Sequence, residues 1–91
     1  MTDTFIIKSN NWFLYILECG DKSYYIGISN NVDKRIEKHN LKKGSKYVRS
    51  RLPATLVYQE GPFTKSDALK KEIFYKKFSK KQKKDIINGC K

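Results

Sequence analysis

The sequence predicts an α+β fold: a small, three-stranded, mainly antiparallel sheet flanked by helices, in the order β-β-α-β-α-α. Three observations carry this expectation. The first strand-like run is apolar on both parities, a short polar turn joins it to a second β-rich run, and the remainder holds helical patterns introduced by capping residues. Length sets the scale. Ninety-one residues make about one small domain, and an apolar share of 38%, reinforced by six Tyr, five Phe and one Trp, supports one modest core. That domain is expected over residues 11–88, with 1–10 a flexible leader and 89–91 a tail.

Trp12 to Cys19 places Trp12, Leu14 and Ile16 on one face and Phe13, Tyr15 and Leu17 on the other, the pattern of a central strand covered on both sides. Gly20-Asp21-Lys22 forms a turn, and Ser23 to Ser29 returns as the second strand of a hairpin. Asn30 or Asn31 caps a helix over Val32 to Asn40. Lys42 to Arg51 reads as a basic loop with Tyr47 as its aromatic residue. Pro53 precedes a third strand, Ala54 to Glu60, which Gly61-Pro62 ends. Thr64-Lys65-Ser66-Asp67 opens a helix to about Phe78 with Ala68, Leu69 and Ile73 on its apolar side. Ser79 and Gln82 have capping-box spacing for a last helix over Lys80 to Ile87.

Charge and composition narrow the function classes. Twenty Lys and Arg against nine Asp and Glu give a net charge of +11, which favours a polyanionic partner, nucleic acid ahead of anionic membrane. No window approaches eighteen apolar residues, and no helix pairs a wide apolar face with a basic one. The N-terminal residues do not read as a secretory signal, and Cys19 and Cys90 are too few and too far apart for a disulfide scaffold or a zinc cage. A cytoplasmic location is therefore expected.

The hairpin also generates a candidate site. A turn over residues 20–22 pairs Cys19 with Ser23, so Tyr15 falls opposite Gly27 and Tyr25 opposite Leu17. Tyr15, Tyr25 and Gly27 then share one face, with Gly27 leaving room beside the Tyr15 ring; simple amphipathic packing of the tyrosines is the alternative. On the first helix, Arg35 and His39 share an arc with Val32 and Ile36 and flank the buried stripe. Glu72 falls inside the apolar arc of the second long helix, an unusual position for a carboxylate.

These residues resemble those of a known family. Phe13-Leu14-Tyr15, followed after a gap by Tyr25-Ile26-Gly27, resembles the paired motif of the GIY-YIG nuclease superfamily, with Arg35, His39, Tyr47 and Glu72 in matching order. Phe13 and Leu14 stand where the motif's name has Gly and Ile, and Ile28 stands where some repair-type members carry Lys. The likeness runs from Trp12 to about Ile87, is closest to small single-domain bacterial members, and extends to the nuclease domain of the structure-specific resolvase subunit. It implies metal-dependent hydrolysis of DNA phosphodiester bonds, directed at structure or single strands with low sequence specificity. One Mg²⁺ or Mn²⁺ ion is then held by Glu72, and Tyr15, Tyr25, Arg35, His39 and Tyr47 are catalytic. The chemistry is compatible: Arg35 is a forked, permanent cation suited to phosphate, and Tyr15 or Tyr25 could take a proton from water once nearby cations lower its pKa. Each residue also has a plain structural alternative, for example Glu72 as the i,i+4 partner of Lys76.

Lys42, Lys43, Lys46, Arg49 and Arg51, with Gly27, are the expected nucleic-acid contacts, and a second Lys cluster surrounds the last two helices. Seventeen of the twenty basic residues are Lys, favouring backbone contacts over base readout. The expected partner is DNA, with RNA as the alternative, bound by a monomer to which a protein partner supplies specificity. A non-catalytic nucleic-acid-binding module on the same scaffold is the rival reading.

Overall fold

The computed structural model describes residues 10–89. Strand β1 (Trp12–Glu18) lies between β2 (Tyr24–Ser29) and β3 (Thr55–Phe63) in a sheet of order β2-β1-β3, antiparallel throughout. Helices α1 (Val32–Asn40) and α2 (Lys46–Arg49) precede β3; α3 (Lys65–Lys76) and α4 (Lys80–Ile87) follow it. Apart from Asn10 and Gly89, the expected leader and tail lie outside the described residues, as does Cys90.

The hairpin has the expected register, with Tyr15 opposite Gly27 and Leu17 opposite Tyr25. Lys22 takes a left-handed φ of 70° to close the turn, and the Cys19 N–H donates to Ser23 O at 2.8 Å. Because β1 is apolar on both parities, the single core expected from composition is divided by the sheet. Tyr15, Leu17 and Cys19 pack with Val32, Val48 and Ala54 on one side; Leu14, Ile16 and Ile26 pack with Tyr75 on the other.

Helix α1 begins at Asn31, whose Oδ1 accepts from the Lys34 N–H at 3.1 Å. It ends in a reversal centred on Lys42, at φ 64°, with the Lys42 N–H donating to His39 O and the Lys43 N–H to Lys38 O, both at 3.0 Å. The Asn40 side chain then brackets the start of β3, accepting from the Ala54 N–H at 3.0 Å and donating to Ala54 O at 3.2 Å.

Three sequence expectations need correction. The segment Lys42 to Arg51 is not all loop: Ser45 caps the single-turn helix α2, which buries Val48 completely. Strand β3 continues through Gly61-Pro62 to Phe63, because it is an edge strand where the N–H missing at Pro62 need not pair, and a register shift between Trp12 and Leu14 absorbs the irregularity. Helix α3 ends at Lys76, short of Phe78, and of its expected apolar side only Ala68 is buried. Ala68 and Tyr75 face the sheet, whereas Leu69 and Ile73 are 41% and 59% exposed. Tyr75 buries a large ring and also seats its hydroxyl on Glu60 at 2.8 Å, and Ala68 permits close approach.

Candidate active site

Gly27 and Tyr15 face each other across the hairpin, and the phenol lies over the glycine. A Cβ on Gly27 would come within 2.5 Å of Tyr15 Oη, so the missing side chain is what accommodates the hydroxyl. Tyr25 shares this sheet face, its ring centroid 6.4 Å from that of Tyr15. From α1, the fully buried His39 completes the group at 6.3 Å from Tyr15 and 5.4 Å, edge-on, from Tyr25. Tyr15 Oη and His39 Nε2 are 3.3 Å apart, and the Ser45 N–H donates to His39 Nδ1 at 3.4 Å.

Burial pushes the Tyr15 phenol up to about 12, helped by the adjacent Tyr25 and opposed by the Arg35 guanidinium; the Glu72 charge adds a smaller upward push. Tyr15 therefore senses both the candidate phosphate-binding cation and the candidate metal-binding carboxylate. The His39 imidazole is held below its usual range by burial and then by Arg35, so it is neutral at physiological pH. Arg35 lies beside the buried Val32 and His39 as expected, but it is not shielded from water. It is exposed and lines an open depression with Ser29, Asn31, Lys34 and Lys38, where it can reach a bound anion.

Glu72 is half-buried, with 19% of its side chain accessible, and pairs with Lys76 at 3.4 Å. No group of three or more His, Cys, Asp or Glu converges anywhere among the described residues. A lone, partly sheltered carboxylate suits a hard divalent ion that keeps most of its water, and does not suit zinc.

Of the expected nucleic-acid contacts, Lys42, Lys43, Lys46 and Arg49 are exposed along the α1–α2 connection. Arg51 is engaged within the protein. It pairs with Asp21 at 3.0 Å, donates to Tyr47 O at 3.1 Å and covers the Tyr47 ring at 4.0 Å. Tyr47 in turn stacks beside Tyr25 at 6.2 Å, so it extends the aromatic group from Tyr15 to the surface. Two residues that sequence reasoning passed over touch this group: Gly44, on which a Cβ would overlap the His39 ring, and Ser45. The Gly-Ser step ahead of a short apolar-containing turn was the available signal.

This constellation on a β-hairpin and the following helix defines a GIY-YIG domain, and residues 11–85 match the family described as the GIY-YIG catalytic domain. The chain belongs to that family, within its branch of small UPF0213 proteins. It is 43% identical to a UPF0213 protein of Bacillus cereus over 89% of this chain and 84% of the relative, and 45% identical to one of Staphylococcus haemolyticus over 82% and 92%. Among solved structures, the NMR structure of a UPF0213 protein from Bacillus halodurans is similar with a TM-score of 0.55 at 39% identity, covering 85% of this chain and 82% of that one. The NMR structure of an E. faecalis protein matches with a TM-score of 0.60 at 30% identity over 91% and 90%. The domain is thus of nuclease type.

Proposed function

We propose that this protein is a divalent-metal-dependent endonuclease that hydrolyses DNA phosphodiester bonds in single-stranded or branched regions, with low sequence specificity, as a cytoplasmic monomer directed by a partner protein. The observation that carries this reading is the convergence of Tyr15, Tyr25 and His39 on one sheet face, where Tyr15 feels both Arg35 and Glu72.

In this reading Arg35 grips the scissile phosphate and opposes the negative charge that develops on it. Tyr15 or Tyr25, as the phenolate, takes a proton from the attacking water, and the resulting hydroxide displaces the leaving oxygen. His39 and Tyr47 fix the tyrosine pair. Glu72 would exchange Lys76 for Mg²⁺ or Mn²⁺. When bound, the ion supplies positive charge that favours the phenolate and shields the phosphate. Lys42, Lys43, Lys46 and Arg49 track the backbone through point-charge contacts and carry no sequence information.

The exposed Lys42, Lys43, Lys46 and Arg49, which could track a phosphate backbone whether or not it is cut, carry a second reading in which the scaffold binds DNA without cutting it. The deciding experiment is cleavage of single-stranded, duplex and branched DNA with Mg²⁺ or Mn²⁺, with Glu72→Gln as control. Metal-dependent cleavage that this variant loses supports the nuclease. No cleavage by the wild type on any substrate moves the conclusion to the binding module, and full activity in Glu72→Gln removes the one-metal assignment.

A further inference from the structure

We propose that the turn between α1 and α2 is a tautomer lock: Gly44 and the Ser45 N–H hold His39 as the neutral Nε2–H form, so that His39 donates a hydrogen bond to Tyr15 Oη and does not receive the tyrosine's proton. A backbone N–H can only donate, so at Nδ1 the ring must present its lone pair to Ser45, 3.4 Å away. In a neutral imidazole the proton then resides on Nε2, the nitrogen 3.3 Å from Tyr15 Oη. Tyr15 oxygen is left as the acceptor.

The local chain is shaped for this contact. The reversal at Lys42 ends α1 and turns residues 43–45 back over the last helical turn. Gly44 passes so close to His39 Nδ1 that any Cβ would overlap the ring. The ring is completely buried and sits beside the Arg35 charge, two conditions that both favour its uncharged form. A neutral donor on the phenol oxygen favours the phenolate without supplying a competing base. The proton of Tyr15 must go to an acceptor other than His39 and, since a guanidinium has no lone pair to offer, other than Arg35. Gly44 and Ser45 are therefore positioning residues. Their effect on catalysis rests on the nuclease reading above, whereas the tautomer does not.

His39 is the single histidine of the chain, so long-range ¹H–¹⁵N NMR of the untagged protein reads it directly. At neutral pH, Nδ1 should show the shift of an unprotonated nitrogen and Nε2 that of a protonated one; the reverse assignment overturns the proposal. Ser45→Ala and Ser45→Pro both remove the hydroxyl that caps α2, but only the proline removes the N–H. The alanine variant should retain the tautomer. The proline variant should shift His39 toward a tautomer mixture and lose cleavage by at least about tenfold. Wild-type nitrogen shifts in a folded Ser45→Pro protein overturn the lock. If that variant does not fold, Gly44→Ala takes its place with the same expectation and the same overturning result. The expected shifts in a wild type that cuts no DNA would sustain the lock and sink only the nuclease reading.

Discussion

The sheet carries a buried tyrosine on each face, and the two are held in opposite ways. Tyr75, behind β3, donates to Glu60 Oε1 at 2.8 Å; Tyr58 donates to the same oxygen at 2.9 Å, and Lys71 pairs with the other at 3.1 Å. Tyr15, on the front, meets a neutral imidazole and the field of an arginine. Both phenols are raised by burial. For Tyr75 the next cause is a carboxylate that needs the phenolic proton, so the hydroxyl is fixed as a donor and clamps α3 to the sheet. For Tyr15 the arginine pulls the other way, so its proton can be lost when further positive charge arrives. A buried tyrosine is structural or reactive according to whether its partner requires its proton.

The sharpest way to break this comparison is to remove each hydroxyl. Tyr15→Phe should reduce cleavage by about 100-fold or more, while Tyr75→Phe should leave it within a few-fold and cost about 1–3 kcal/mol of stability. Denaturant melts and cleavage rates on the same preparations decide the matter, and equal losses of activity would erase the distinction. Glu72→Gln should abolish metal-dependent cleavage yet change stability by only a few tenths of a kcal/mol, because it gives up no more than an i,i+4 pair with Lys76. DNA binding measured without metal should persist or tighten. Replacing Lys42, Lys43 and Lys46 together by Ala should flatten the slope of log K against log[salt] by about three units, with sequence preference unchanged.

Acid separates the two faces by pH. His39 is held below its ordinary 6.5 in the folded protein, so the unfolded chain binds the proton more readily. Its contribution is complete above about 6.5 and declines as pH falls toward the folded value. Glu60 is raised by burial, but hydrogen bonds from Tyr75, Lys71 and Tyr58 outweigh that and hold it below 4.5. Its contribution therefore stays complete down to about 4.5 and is lost as the carboxylate protonates below that. Thermal melts across pH should show two losses, the upper removed in His39→Gln and the lower in Glu60→Gln. The smallest effect concerns Lys42, whose left-handed φ of 64° costs a non-glycine residue about 1 kcal/mol. Lys42→Gly should stabilise the protein by about that amount in thermal melts and flatten the salt slope of DNA binding by about one unit.

The front of the sheet was the more legible side. A turn over residues 20–22 and strict alternation determine which residues face each other, and those local rules put Tyr15, Tyr25 and Gly27 together. The cap at Asn31 likewise follows from residue type. The back was less legible. On a helical wheel Leu69 and Ile73 outweigh Tyr75, yet the hydroxyl of Tyr75 finds Glu60, fifteen residues away on another element, and this contact turns α3. The burial of Val48, and with it the path of Gly44 and Ser45 over His39, also depends on tertiary packing that no local pattern encodes. Arg35 shows the limit of wheel reasoning in the other direction, since it shares an arc with buried residues yet is itself exposed.

β1 has a consequence for how the molecule opens. Alternate residues of this one strand, Tyr15 and Leu17 against Leu14 and Ile16, supply the centres of both apolar clusters, and the strand is hydrogen-bonded along both edges. Neither half can melt away and leave the other intact, because each would take the shared seam with it. Opening of β1 is thereby tied to global unfolding, and its amides should be the last to exchange with deuterated solvent, whereas those of α2 and α4 exchange through cheaper local fluctuations. Damage to the clamp behind the sheet would then register at Tyr15 as a higher frequency of complete opening, with no change in the resting geometry of the pocket.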